Sequence, residues 1–164
     1  MSGQGLADLH HELQLLLGAD QIVSFIEAHD KAASGDADRF GNLINYFKDS
    51  AYMHARNLLN ALTNRYPTEI GPVPASITSE LYGKLKDSLE RYVMHIKKPR
   101  NGRGVSNIRD GRHLNERVPE LTGEVRRCWS EWIDATGNQD LKGILAAADE
   151  SAQRDVSRLR GLMR

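Results

Sequence analysis

Apolar residues recur at intervals of three and four along most of the 164-residue chain, and this spacing constrains the fold more than any other feature. No segment alternates between apolar and polar residues for any length, and β-branched residues are sparse. Five or so amphipathic segments with short connections therefore predict an all-α fold, a single-domain bundle of about five helices spanning residues 1–164. The clearest apolar stripe consists of Phe40, Leu43, Ile44, Phe47, Ala51, Ala55, Leu58, Leu59 and Leu62.

Glycines and capping residues predict where these helices are interrupted. We expect Gly18 to end or kink the first helix, with Asp20 capping a continuation. Later in the chain, Thr122 precedes a glycine and is expected to cap a restarted helix. Gly137 follows an apolar-periodic segment and is expected to close it.

The charges are unevenly distributed, although the formal net charge is zero. Residues 1–90 contain seven basic and twelve acidic side chains, whereas residues 91–164 contain fifteen and ten. Such a dipolar chain can pair its acidic half with its basic half, within one molecule or between two, or present the basic end to phosphate. We favour pairing within one molecule.

The single cysteine, Cys128, excludes an internal disulfide framework and is typical of a reducing compartment. It lies in an apolar helical pattern beside Trp129, which favours a buried structural thiol over a nucleophile. The chain has no apolar run long enough to span a membrane, and its first residues do not resemble a secretory signal. We therefore expect a cytoplasmic protein with no membrane association.

The second predicted helix carries the first candidate site. His54 lies within about 50° of the centre of the apolar stripe, Asn57 follows one turn later, and Arg56 points nearly the opposite way. A half-buried imidazole beside an amide could act as a general base or as a specific anchor. The alternative, which we favour, is a histidine at the edge of the core that bonds a neighbouring carbonyl, with Arg56 on the surface.

The second candidate site is a glycine-broken basic segment between residues 97 and 117. Its glycines keep the backbone open, as in loops that wrap phosphate, and it contains two acids. It lacks interleaved aromatic residues, so a nucleic-acid contact would be mainly electrostatic. A solvated loop that pairs with the acidic half is an equal alternative. The basic residues are Lys97, Lys98, Arg100, Arg103, Arg109, Arg112 and Arg117.

Metal and cofactor motifs are not met in the sequence. His11-Glu12 lacks the second histidine of the metalloprotease helix, and the glycines at 102 and 104 follow a predicted helix rather than a strand. No nucleophile elbow for a Ser–His–Asp triad is found. We expect neither a bound metal nor a cofactor.

With these residues in view, the chain resembles an uncharacterised bacterial all-helical family. The family has a helix with a His-Ala-Arg-x-Leu core and, later, an Asn-Lys/Glu-x-Val-x-His-Leu-Thr stretch. Here these read as residues 54–59 and 115–122. Glu120 replaces the histidine of the second motif and Pro119 stiffens that turn, which argues against a shared catalytic role. The positions that the resemblance carries over are His54, Arg56, Asn57, Asn115, Leu121 and Thr122.

In bundle architecture this family is similar to the HEPN superfamily, which includes RNases of toxin–antitoxin and phage-defence systems. Those nucleases use an arginine followed, after four to six residues, by a histidine. Here Arg91 and His95, like Arg109 and His113, have three residues between them. The resemblance implies a HEPN-like fold, while the nuclease motif is not met.

Three functions are consistent with these patterns. The first, which we favour, is a non-catalytic interaction module of a bacterial defence or toxin–antitoxin system, a homo-oligomer that binds a protein or RNA partner through the basic segment. The second is a metal-independent HEPN-like ribonuclease that joins His54 or His113 with Arg109 or Arg112. The third is a small-ligand sensor with a pocket at the bundle core, for which His54 and the two tryptophans are the only signs.

Overall fold

The computed structural model describes residues 3–32, 41–63, 72–94 and 117–162, and its regular structure there is entirely helical. The predicted all-α bundle is confirmed, with no strand in these ranges. None of the described helices is both long and apolar enough to cross a membrane. The helices are α1 (Gly3–Ala32), α2 (Gly41–Thr63), α3 (Glu80–Met94), α4 (Val118–Thr136) and α5 (Gln139–Leu162).

Helix α1 is the central element of the bundle. It packs along both α2 and α5 and also contacts α4. Its buried side chains are spread over about half of the helix circumference, as expected for a helix with neighbours on several sides. They are Leu13, Leu16, Leu17, Ala19, Val23 and Ile26.

The expected interruption of α1 at Gly18 is wrong. The helix continues through Gly18 and Asp20 to Ala32, so Asp20 caps nothing. A glycine in a helix interior costs only about 1 kcal/mol relative to alanine, and burial of the adjacent Leu17 and Ala19 outweighs it. Tertiary packing thus overrides a local signal for a helix end.

Helix α4 is likewise uninterrupted at Thr122, contrary to the sequence expectation. The Thr122 hydroxyl donates to the carbonyl oxygen of Val118, one turn earlier, over 3.0 Å. Gly137 closes the helix as predicted: its backbone is left-handed, with φ of 63°, and its N–H donates to Ile133 O over 2.7 Å. This conformation favours glycine because it has no Cβ.

The two tryptophans of α4 connect it to α5. Trp129 and Trp132 are fully buried and meet edge to face, with ring centroids 5.6 Å apart. The indole N–H of Trp129 donates to Leu141 O in the first turn of α5, over 2.9 Å. Cys128 is buried beside them, as predicted, and burial raises the pKa of its thiol to about 11.

Candidate functional site

His54 lies in the interface between α1 and α2 and is 5% exposed. Its Nδ1 atom is 2.9 Å from Oε2 of Glu12, which is half-buried on α1. The predicted position at the core edge is therefore observed, but the partner is a carboxylate rather than a backbone carbonyl. Burial is possible because this hydrogen bond replaces one to water.

The three motif residues of α2 are connected through this carboxylate. Asn57 donates from Nδ2 to Glu12 Oε2 over 3.4 Å, and Arg56 donates from Nη1 to Asn57 Oδ1 over 3.3 Å. Arg56 is not the surface arginine that we expected: it is half-buried, and its Nε is buried without a hydrogen-bond partner. We call these four residues the Glu12–His54 network.

Glu12 is the residue that the sequence interpretation missed. Its one signal in the sequence is its place beside His11, and that pair does not complete the metalloprotease pattern. Nothing local identifies it as the partner of His54, because the contact depends on how α1 and α2 pack.

The electrostatics of the network favour a charged Glu12. Burial alone would raise the pKa of this carboxyl, but the hydrogen bond with His54, the charge of His54 and the hydrogen bond from Asn57 act together in the other direction. The net result is a pKa below the ordinary value of 4.5. A carboxylate that is ionised at neutral pH orients the imidazole and joins two helices.

A second polar cluster joins α1, α4 and α5. Arg126 donates two hydrogen bonds to the carboxylate of Asp149, one of them over 2.9 Å from Nη1 to Oδ2. Asp20 faces this pair from α1, and its Oδ1 is buried without a hydrogen-bond partner. Burial raises the pKa of Asp20, although Thr122 and Arg126 oppose the shift.

Most of the predicted basic segment lies outside the described residues. Arg117, which is described, donates to Glu120 over 3.3 Å, one turn along α4, and is partly exposed. Of the second motif, Leu121 and Thr122 are buried. The candidates outside the described residues are Lys97, Lys98, Arg100, Arg103, Arg109, Arg112, His113 and Asn115.

The ion pairs between described residues join partners from the same half of the chain. Lys48 with Glu27 represents the first half, and Arg126 with Asp149 the second. One acidic residue of the first half, Asp20, does interact electrostatically with a basic residue of the second half, Arg126. Among the described residues, the predicted pairing of the acidic half with the basic half is thus represented by Asp20 and Arg126.

One side of α2 carries three apolar side chains that are open to solvent. The exposed large apolar side chains of the described residues are Leu43, Tyr46 and Met53, at 41%, 69% and 40% exposure. At 100° per residue they lie within about 80° of one another around the helix. We call Leu43, Tyr46 and Met53 the α2 face.

Comparison of the chain with protein-family models, with curated proteins and with solved structures finds no match. The described residues also contain no group of three or more His, Cys, Asp or Glu side chains that could hold a metal ion. The class of protein established on this basis is an all-helical bundle of five described helices.

Proposed function

We propose that the chain is a non-catalytic helical interaction module of the bacterial cytoplasm, HEPN-like in architecture, which binds a protein partner and acts as a homo-oligomer. The resemblance noted from the sequence supports a defence or toxin–antitoxin setting. The observation that carries the proposal is the α2 face, where Tyr46 is 69% exposed.

The α2 face supports protein binding because its members share one side of one helix. Apolar residues scattered singly on a surface are ordinary, whereas a continuous apolar patch indicates an interaction site. Tyrosine and methionine are also enriched in the centres of protein interfaces. Tyr46 and Met53 are seven residues apart, about two turns, so they lie on the same side of the helix and suit docking of a partner surface.

The Glu12–His54 network supports a non-catalytic module. A general base must come within hydrogen-bond distance of a substrate proton. His54 is 5% exposed and its Nδ1 is already bonded to Glu12. Burial of this kind favours a structural role for the motif histidine.

In-cell photo-crosslinking tests the proposal. A photoreactive phenylalanine derivative at position 46 is expected to give a covalent protein adduct, and Met53→Glu in the same chain should reduce its yield because it puts a charge into the apolar face. The matched control is the same derivative at position 147, where an exposed alanine lies on α5. The proposal fails if position 46 gives no adduct, or if its adducts persist unchanged with Met53→Glu.

RNA is the second candidate partner, favoured by the seven basic and two acidic residues between 97 and 117. Replacing Lys97, Lys98 and Arg100 by glutamine should weaken binding of labelled RNA at low salt. The slope of log K against log salt should also fall, by about 0.7 per lost phosphate contact. Arg154→Gln with Arg158→Gln, on exposed positions of α5, is the control. If the triple glutamine variant and the control variant retain RNA equally, the basic segment is not the RNA-binding site.

The ribonuclease alternative joins His54 or His113 with Arg109 or Arg112, and all of these except His54 lie outside the described residues. It remains a prediction with a direct test. If the chain is a non-catalytic module, purified protein should not cleave RNA, and His113→Ala should leave the amount of intact RNA unchanged. RNA cleavage that is lost with both Arg112→Ala and His113→Ala would replace the module by the enzyme.

A further inference from the structure

We propose that α3 opens from the bundle as one unit while the other described helices stay folded, and that Arg127 of α4 controls this opening. In the open state α3 leaves α2 and α4, and its backbone N–H groups exchange with solvent. The inference does not depend on the proposed function, because it concerns the contact between α3 and α4 rather than the α2 face.

Helix α3 has the fewest neighbours in the bundle. Among the described residues it contacts α2 and α4 only, and its contact with α4 is the smallest between any two of these helices. Helix α1, by comparison, packs against α2, α4 and α5. Local opening costs less free energy where fewer apolar contacts are lost. We therefore expect α3 to open at a lower free energy than α1. Its described buried side chains are Tyr82, Leu85 and Leu89.

A cleft of about 670 Å³ separates the start of α3 from the start of α4. Glu80 and Lys84 line it on α3, and Glu120 and Glu124 line it on α4. Glu80 and Lys84 pair with each other within α3, and both are exposed, so this pair adds little attachment to α4. Polar side chains beside a cleft replace the close apolar packing that joins α1 to its neighbours.

Arg127 connects the two sides of this cleft. Its Nη2 donates to Thr78 O over 2.6 Å, although 49 residues separate them in the sequence. Glu124 holds the same guanidinium on α4, accepting from Nε over 2.9 Å and from Nη2 over 2.8 Å, and Glu131 accepts from Nη1. A side chain that is already held by two carboxylates loses little conformational freedom when it bonds Thr78. The contact is thus built into α4.

Ser79 transmits the Arg127 contact to the first turn of α3. It follows Thr78 directly and occupies the N-cap position: its hydroxyl accepts from the N–H of Tyr82 over 2.9 Å, and its carbonyl oxygen accepts from the N–H of Gly83 over 3.0 Å. Glu124 also forms a hydrogen bond with Ser79. Loss of the bond to Thr78 therefore releases the residues that cap α3.

Hydrogen exchange of the native full chain, followed by mass spectrometry, tests the opening. Peptides from α3 should show lower protection factors than peptides from α1 and α5. Arg127→Gln should lower the α3 protection factors by roughly fivefold, because a hydrogen bond is lost, and leave those of α1 and α5 unchanged. The matched control is Arg158→Gln, which removes an exposed arginine paired with Asp155 on α5 and should not affect α3.

Gly83→Ala should act in the opposite direction. An added Cβ at this position meets nothing within 4 Å, and alanine favours a helix interior more than glycine does. The variant should raise the α3 protection factors by roughly two- to fivefold and leave the other helices unchanged.

Two results would overturn the opening of α3 as a separate unit. One is equal protection of α3 and α1 in the native protein, and the other is an equal change in every helix with Arg127→Gln or Gly83→Ala. Unchanged α3 protection with Arg127→Gln would overturn the controlling role of Arg127.

Discussion

Nδ1 of His54 and Oε2 of Glu12 lie 2.9 Å apart although 42 residues separate them in the sequence. The contact joins α1 to α2 next to the buried residues Leu13 and Ala55. Its donor is a nearly inaccessible imidazole, and its acceptor is a carboxylate whose pKa is lowered. The contact is therefore expected to contribute to stability, and that contribution depends on pH.

Removal of the carboxylate should destabilise the fold. Glu12→Ala leaves the buried Nδ1 of His54 without its partner, and an unsatisfied buried polar group costs about 1–3 kcal/mol. We expect the free energy of unfolding in urea to fall by this amount. Glu150→Ala is the matched control, because its ion pair with Arg154 is exposed and such pairs contribute about 0–1 kcal/mol. Equal losses in the two variants would contradict a special role for Glu12.

The contribution of Glu12 should disappear in acid. Its pKa in the folded state is below 4.5, so the stability that it adds is present above 4.5 and is lost as pH falls through the lower folded value. Glu12→Gln should therefore be less stable than the natural protein near neutral pH, and the difference should shrink in acid. Urea unfolding at several values between about pH 3 and pH 7 measures it. A difference that is constant over this range would contradict the prediction.

Asp20 should behave in the opposite way. Its folded pKa is raised above 3.8 by burial, so the stability associated with the neutral carboxyl is present below 3.8 and is lost as pH rises through the folded value. Asp20→Asn should be more stable than the natural protein near neutral pH and equally stable in acid. Asp134→Asn, on an exposed position of α4, is the control and should change stability by less than about 0.5 kcal/mol at either pH.

Two glycine substitutions should have opposite signs. Gly137→Ala forces an alanine into a left-handed conformation with φ of 63° and should cost about 1 kcal/mol or more. Gly143→Ala lies within α5, where an added Cβ meets nothing within 4 Å, and should stabilise the protein by about 0.5–1 kcal/mol. Thermal unfolding compares the two variants directly. A gain in stability at position 137 would contradict its role in ending α4.

Cys128 should resist thiol reagents in the folded protein. The side chain is fully buried, and its pKa of about 11 keeps the reactive thiolate scarce near neutral pH. A colorimetric disulfide reagent should react slowly with native protein and rapidly in denaturing urea. Rapid reaction of the native protein would show that α4 opens readily.

Periodicity alone was sufficient to predict the fold class. The α2 stripe places Ala51, Ala55, Leu58, Leu59 and Leu62 in the core, and all five are buried. The same stripe placed Leu43 with them, which is wrong, because Leu43 lies near the start of α2 and is 41% exposed. The same angular argument placed His54 at the edge of this stripe, where it is observed. These predictions succeed because helix geometry determines which residues share a side.

The errors came from features that local sequence does not contain. Gly18 and Thr122 resemble helix boundaries, but packing around α1 and α4 keeps both helices continuous. Glu12 could not be identified as the partner of His54, since the relative position of α1 and α2 is a tertiary property. The basic segment was singled out by composition, and six of its seven basic residues lie outside the described ranges.

Packing of α1 against α5 also determines when this protein can finish folding during its synthesis. Helix α1 is translated before the helix it packs against, which spans residues 139–162. Until those residues emerge, the leucines of α1 remain accessible to chaperones and to neighbouring nascent chains. The packing of the α1 leucines therefore cannot be completed until α5 has been translated.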